Sequence, residues 1–184
     1  MSDRNRFEWD GRILEKVSDP SFCMNFDCGN DDLNAYFRVD SAEYRKQLFT
    51  QSYRLYSASF PEITLAMTDF CNDALPRKTV PGKARRQIPN EKRGFRSYPA
   101  IKITRLGVSA DMQGMHIGSL ALDIVKHFFL TDNRTGCRFI TVDAYRAAVP
   151  FYEKNGFHQM LVEEEADSEA PTVPLFFDLK SIVA

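Results

Sequence analysis

Gln113-Gly114-Met115-His116-Ile117-Gly118-Ser119 is the stretch whose residue types and spacing suit the binding of an anion. An apolar run, Ile101 to Val108, precedes it and reads as a strand. Ile117, Leu120, Ala121, Ile124, Val125, Phe128 and Phe129 follow at i, i+3, i+4, i+7, i+8, i+11 and i+12, one face of an amphipathic helix. A strand, a glycine-bearing turn and a helix start present backbone N–H groups and the positive helix end to a negative charge. The glycines let that ligand approach the backbone closely. No lysine is present to make a P-loop, and Gly114 and Gly118 are one glycine short of the dinucleotide fingerprint.

The elements around this loop follow from pattern. Cys137 to Asp143 is a second apolar run, so Pro99–Val108, the helix and Cys137–Asp143 form a parallel βαβ unit. Ligands of such sheets lie at the carboxyl ends of the strands, which puts Val108, the 113–119 loop and Asp143 on one rim. Arg146 to Asn155 reads as a short helix stopped at Gly156. Phe157–Val162 and Pro174–Leu179 read as closing strands around an acidic loop, 163–169. Upstream, residues 11–18 suggest a first strand, and Tyr53–Ala58 with Ile63–Thr68 an antiparallel hairpin. Asp27-Cys28-Gly29-Asn30 is a turn and cap, after which Asp31 and Asp32 open a helix. Leu33, Tyr36 and Phe37 give that helix an apolar face, continued by Tyr44 and Leu48.

Residues 70–99 break the pattern with four prolines and two glycines. Within them, 76–96 carries Arg77, Lys78, Lys83, Arg85, Arg86, Lys92, Arg93 and Arg96 against Glu91 alone. The net charge of −1 therefore hides one basic excursion. It suits a phosphate, either the 3′-phosphate of a nucleotide or an RNA backbone; a solvated loop paired with the acidic remainder is the plainer alternative. The chain of 184 residues reads as one domain with fifteen Phe and seven Tyr to fill its core. Four cysteines, at 23, 28, 71 and 137, have neither metal spacing nor a paired framework. No metal site is expected, no signal peptide or membrane span is evident, and a cytoplasmic protein is expected.

The loop, with Arg105-Leu106-Gly107-Val108 before it, is similar to the acyl-CoA pyrophosphate loop of the GNAT superfamily of N-acetyltransferases, Arg/Gln-x-x-Gly-x-Gly/Ala. Val149-Pro150-Phe151-Tyr152-Glu153-Lys154-Asn155-Gly156-Phe157 resembles the family's Phe-Tyr-x-x-x-Gly-Phe signature, at the family's usual separation. The resemblance implies an α/β (α+β) fold: a mixed, mostly antiparallel sheet of six to seven strands with a central parallel βαβ pair and flanking helices. It implies acetyl-CoA as co-substrate, held by Gln113, Gly114, Met115, His116, Ile117, Gly118 and Ser119. The pantetheine would lie along Leu106, Gly107 and Val108, with the N–H near Val108 facing the oxyanion. Tyr152 would protonate the departing thiolate. His116 stands where the family has its middle glycine; if the position needs positive φ, histidine costs roughly 1 kcal/mol or more.

Many GNAT enzymes place a glutamate base on the central strand, four residues before Leu106, where this chain has Lys102. Without a base, the acceptor must arrive neutral. An α-amino group, titrating near ~7.8, is neutral for on the order of a tenth of the time at pH 7; a lysine, near ~10.4, for less than ~0.1 %. This favours a peptide N-terminus, a small-molecule amine such as an amino acid, or an aminoacyl-tRNA. Phe26-Asp-Cys-Gly-Asn-x-x-Leu-Asn-x-Tyr also resembles the opening of the toxin-type GNAT branch, which acetylates aminoacyl-tRNA. An ordinary first helix packed on the sheet explains the same words. A non-catalytic acyl-CoA-binding module, suggested by His116, and a homodimer stay open.

Overall fold

The computed structural model describes residues 5–89, 94–131, 135–161 and 170–183. Among the described residues eight strands are present: β1 (Arg6–Trp9), β2 (Arg12–Lys16), β3 (Gln51–Ser57), β4 (Phe60–Pro76), β5 (Ser97–Val108), β6 (Phe139–Tyr145), β7 (His158–Gln159) and β8 (Thr172–Asp178). The sheet order is β1-β2-β3-β4-β5-β6-β8-β7. Pairing is antiparallel for β1–β2, β2–β3, β3–β4, β6–β8 and β7–β8. β5 and β6 are the parallel pair. Arg138 N–H donates to the Pro99 carbonyl and the Thr141 hydroxyl to that of Ile101, so the contacts advance together along both strands. The helices are α1 (Ser21–Met24), α2 (Asp31–Ala35), α3 (Ser41–Lys46), α4 (Gly82–Arg86), α5 (Ile117–Leu130) and α6 (Val149–Lys154).

The chain divides into two compact units, Met1–Cys71 with Ile103–Phe128, and Asn72–Lys102 with Phe129–Ala184. In the first, α5 buries Ala121, Ile124, Val125 and Phe128, as its period demands. The Phe128 ring packs edge-on against Phe7 and Tyr53. On α2 the cap is as expected: the Asn30 side chain accepts from Leu33 N–H, and Asp31 and Asp32 fill the first turn. A wider π turn, Tyr36–Asp40, then joins α2 to α3. The expected apolar face does not continue past it: Tyr44 on α3 is 44 % exposed, and Leu48, beyond the end of α3, 85 %.

The second unit has a core of Leu75, Val80, Ile88, Tyr98, Ala100, Phe139 and Phe176. Gly156, at φ +83, ends α6 as predicted, and a Cβ there would stand 3.1 Å from the Phe177 ring. Arg138 pairs in bidentate fashion with Asp178 at 3.1 and 2.8 Å. Among the described residues no helix is long and apolar enough to cross a membrane.

Three boundaries differ from the sequence reading. Strand β1, with Arg6 and Glu8 in four largely exposed residues, carries too little pattern to announce itself. It makes eight strands where six to seven were expected. Strand β4 runs on to Pro76 and β5 starts at Ser97, so the insertion is 77–96, not 70–99. Asn72 and Asp73 fall in the expected insertion, and Asp69 just before it. The Asp69 carboxylate is instead buried and accepts from Tyr36 and Thr50 at 2.7 and 3.1 Å, while Asp73 accepts from Thr141. The strand expected over 157–162 is the two-residue β7; Val162, the acidic loop 163–169, and Glu91, Lys92 and Arg93 lie outside the described residues.

Candidate active site

The loop between β5 and α5 has the form its glycines suggest. Ala110–Met112 makes one tight turn, and Gln113 to His116 lead into α5 at Ile117. Gly114 sits at φ +77 and His116 at φ +60. Leu120 N–H donates to the His116 carbonyl at 3.1 Å, so His116 is the cap residue of the helix. The first-turn N–H groups of α5, on Ile117, Gly118 and Ser119, have no partner of their own within a helix. Residues Gln113 to His116 are exposed and Ile117 to Ser119 half-buried. An anion can reach this turn without displacing the core.

His116 is thus the strained case anticipated above: a residue with a Cβ in the left-handed region, where the family has glycine. His116→Gly is expected to leave the melting temperature unchanged or raise it. His116→Ile should cost about 1 kcal/mol or more, because a β-branched side chain tolerates this φ poorly. Thermal unfolding of the two variants checks this; equal losses would contradict it.

Two residues grouped with the loop by sequence do other work. The Gln113 side chain turns inward, donating to the Cys28 carbonyl at 2.7 Å and more weakly to that of Val108 at 3.3 Å. Gly107 is a packing glycine: a Cβ there would meet Phe26 at 3.1 Å and Cys28 at 3.2 Å. Leu106 and Val108 are half-buried on β5, and Met115 is 63 % exposed.

Tyr152 lies on α6 in the second unit, only 7 % exposed. Its ring packs edge-on against Phe151 and Phe157, centroids 5.1 and 5.3 Å away. Burial pushes its phenol above the ordinary value, so it is protonated at neutral pH. Lys102 on β5 makes an ion pair with Asp143 on β6. The position that carries a carboxylate base in many GNAT enzymes therefore holds a cation, and the nearby Asp143 is committed to it. The sequence reading did not find the buried Asp69–Tyr36–Thr50 cluster, whose members are separated by up to 33 residues. In it burial raises the Asp69 carboxyl and, chiefly, the Tyr36 phenol.

In chain order, β5, the glycine-bearing loop and α5 with its open helix start are followed by β6 and the helix that carries Tyr152. Residues 91–175 match the family model of the acetyltransferase (GNAT) domain. Three solved structures share the fold over nearly the whole length. A mutant of KacT has a TM-score of 0.73 and 20 % identity, covering 95 % of this chain and 98 % of that one. AtaT complexed with acetyl-methionyl-tRNAfMet has 0.68 and 22 %, covering 94 % and 97 %. A mutant AtaT toxin bound to the C-terminus of the antitoxin AtaR and acetyl-CoA has 0.64 and 20 %, covering 94 % and 96 %. No curated protein sequence matches the chain significantly.

Proposed function

We propose that this chain transfers the acetyl group of acetyl-CoA to the α-amino group of an aminoacyl-tRNA. The observation that carries the acceptor class is the Lys102–Asp143 ion pair on the strand where a base would stand. It leaves the amine to arrive neutral, which an α-amine does far more often than a lysine. The likeness to AtaT, solved with an acetylated aminoacyl-tRNA, supports the same class.

In this reading the backbone of 113–119 and the start of α5 bind the pyrophosphate, with the Ser119 hydroxyl as an added donor. Leu106 and Val108 run beside the pantetheine. The neutral amine attacks the thioester carbonyl carbon and forms the C–N bond. The oxyanion so created accepts the N–H near Val108. As the intermediate collapses the C–S bond breaks, and the thiolate receives the Tyr152 proton. The ammonium nitrogen of the tetrahedral intermediate loses its proton, which returns through water to the tyrosine, leaving a neutral amide and the free thiol.

The basic insertion supplies the RNA contact. Arg77, Arg85 and Arg86 line one pocket with Gly82 and Tyr98. The Tyr98 hydroxyl is buried without a hydrogen-bond partner among the described residues. Arg77 and Arg85 also line a second pocket with Lys78 and Arg96. Binding of tRNA is expected to weaken steeply with salt, because each neutralised phosphate releases counterions. Replacing Arg77, Arg85 and Arg86 by Ser should reduce the slope of log affinity against log salt by about 2 to 3 and leave acetyl-CoA affinity intact. A wild-type protein with no affinity for tRNA at low salt would contradict the proposal. An antitoxin-like protein partner is a further expectation, supported by the likeness to AtaT bound to AtaR.

A further inference from the structure

We infer that the turn Phe26–Gly29, locked by Asn34, is the device that sets the conformation of the acyl-CoA loop. The inference rests on the reading that residues 113–119 hold acetyl-CoA. Three successive carbonyls of this turn are taken by two other segments, the helical region at Arg38 and the loop at 110–113. Phe26 accepts both Arg38 Nε and Nη2, at 3.1 and 2.9 Å. Asp27 accepts Ala110 N–H at 2.9 Å, and Cys28 accepts Gln113 Nε2 at 2.7 Å. The last two fix both ends of the tight turn that delivers the chain to Gly114. From its other side that turn is tied to β4, through Ser109 N–H to the Leu65 carbonyl at 2.9 Å. Gly107 lets Phe26 and Cys28 lie directly on the strand beneath.

Asn34 holds the turn itself. Its side chain is buried, 6 % exposed, with both amide atoms spent on the turn. Oδ1 accepts Cys28 N–H at 2.9 Å and the Cys28 thiol at 3.2 Å. Nδ2 donates to Asp27 Oδ1 at 2.8 Å. That same carboxylate oxygen accepts Gly29 N–H at 2.8 Å, and Gly29 takes the left-handed φ of +70 that closes the turn. Every polar group that Asn34 offers thus points at the two residues that grip the loop. A helix merely packed on the sheet needs apolar contact at this position, and alanine would serve it. Asn34 is therefore a positioning residue, acting through Cys28 and Gln113.

The test is acetyl-CoA affinity by calorimetry, with amide hydrogen exchange over 109–119 in the unliganded protein. Asn34→Ala should weaken acetyl-CoA about tenfold, the equivalent of one hydrogen bond. It should raise KM for acetyl-CoA while leaving kcat at saturation unchanged, and should speed exchange in the loop. Gln113→Ala removes the loop side of the same link at an exposed position and should weaken binding to a similar extent. The double variant should be no worse than either single one, since both cut one chain of contacts. Gln113→Glu, which keeps the length but loses the donor, should not rescue. Additive losses, or unchanged affinity and exchange in Asn34→Ala with normal wild-type binding, would overturn the inference alone. No acetyl-CoA binding by the wild type would overturn the proposed function as well.

Discussion

Tyr152→Phe is expected to lower kcat by roughly 10²-fold, within the range for general acid catalysis, with little change in acetyl-CoA affinity. The substitution keeps the ring and its edge-on contacts with Phe151 and Phe157. Only the hydroxyl is lost, so the melting temperature should hold. The burial that keeps the phenol protonated also makes it a reluctant acid. On the proposed mechanism it hydrogen-bonds the sulfur as charge builds, the proton passing while the C–S bond breaks. Accordingly kcat should show no decline from this group below about pH 10. A Tyr152→Phe enzyme with wild-type kcat would remove Tyr152 from the mechanism and leave it a core aromatic.

Gly118→Asp is expected to abolish acetyl-CoA binding without unfolding the protein. Gly118 is the second residue of α5, half-buried, beside the open N–H groups. A carboxylate in a first helical turn is favourable in the free protein, because it meets the positive helix end. Against a phosphate ~4 Å away the same carboxylate costs about 4 kcal/mol at an intermediate dielectric, a loss on the order of 10²- to 10³-fold. Calorimetry with acetyl-CoA, beside a thermal melt, reads both effects. Unchanged affinity in the folded variant would place the nucleotide elsewhere.

The loop and helix were legible because several signals coincide there: two glycines, an apolar strand before them and a strict helical stripe after. The start of α5 at Ile117 follows from that stripe. What escaped the sequence depends on long-range partners. Asp69 falls between the expected hairpin and the expected insertion, and only the fold shows Tyr36, 33 positions earlier, donating to it inside the core. Gln113 reads as a ligand residue until its side chain meets Cys28, 85 positions away. Leu48 reads as an apolar-face residue, but α3 ends at Lys46 and Leu48 lies past its cap, exposed at φ +63. Tyr152 and Lys102 were visible as residue types; the ion pair that commits Asp143 to Lys102 required the parallel register of β5 and β6.

The most direct test of the account is an acceptor panel with labelled acetyl-CoA and the wild-type protein. It should contain an aminoacyl-tRNA, the matching free amino acid, a peptide with a free N-terminus and an N-terminally blocked lysyl peptide. Mass spectrometry locates the acetyl group. Acetyl is expected on the α-amine of the aminoacyl-tRNA, formed far faster than on any other acceptor and lost to high salt. Acetylation of the lysyl peptide with none on the aminoacyl-tRNA would contradict it.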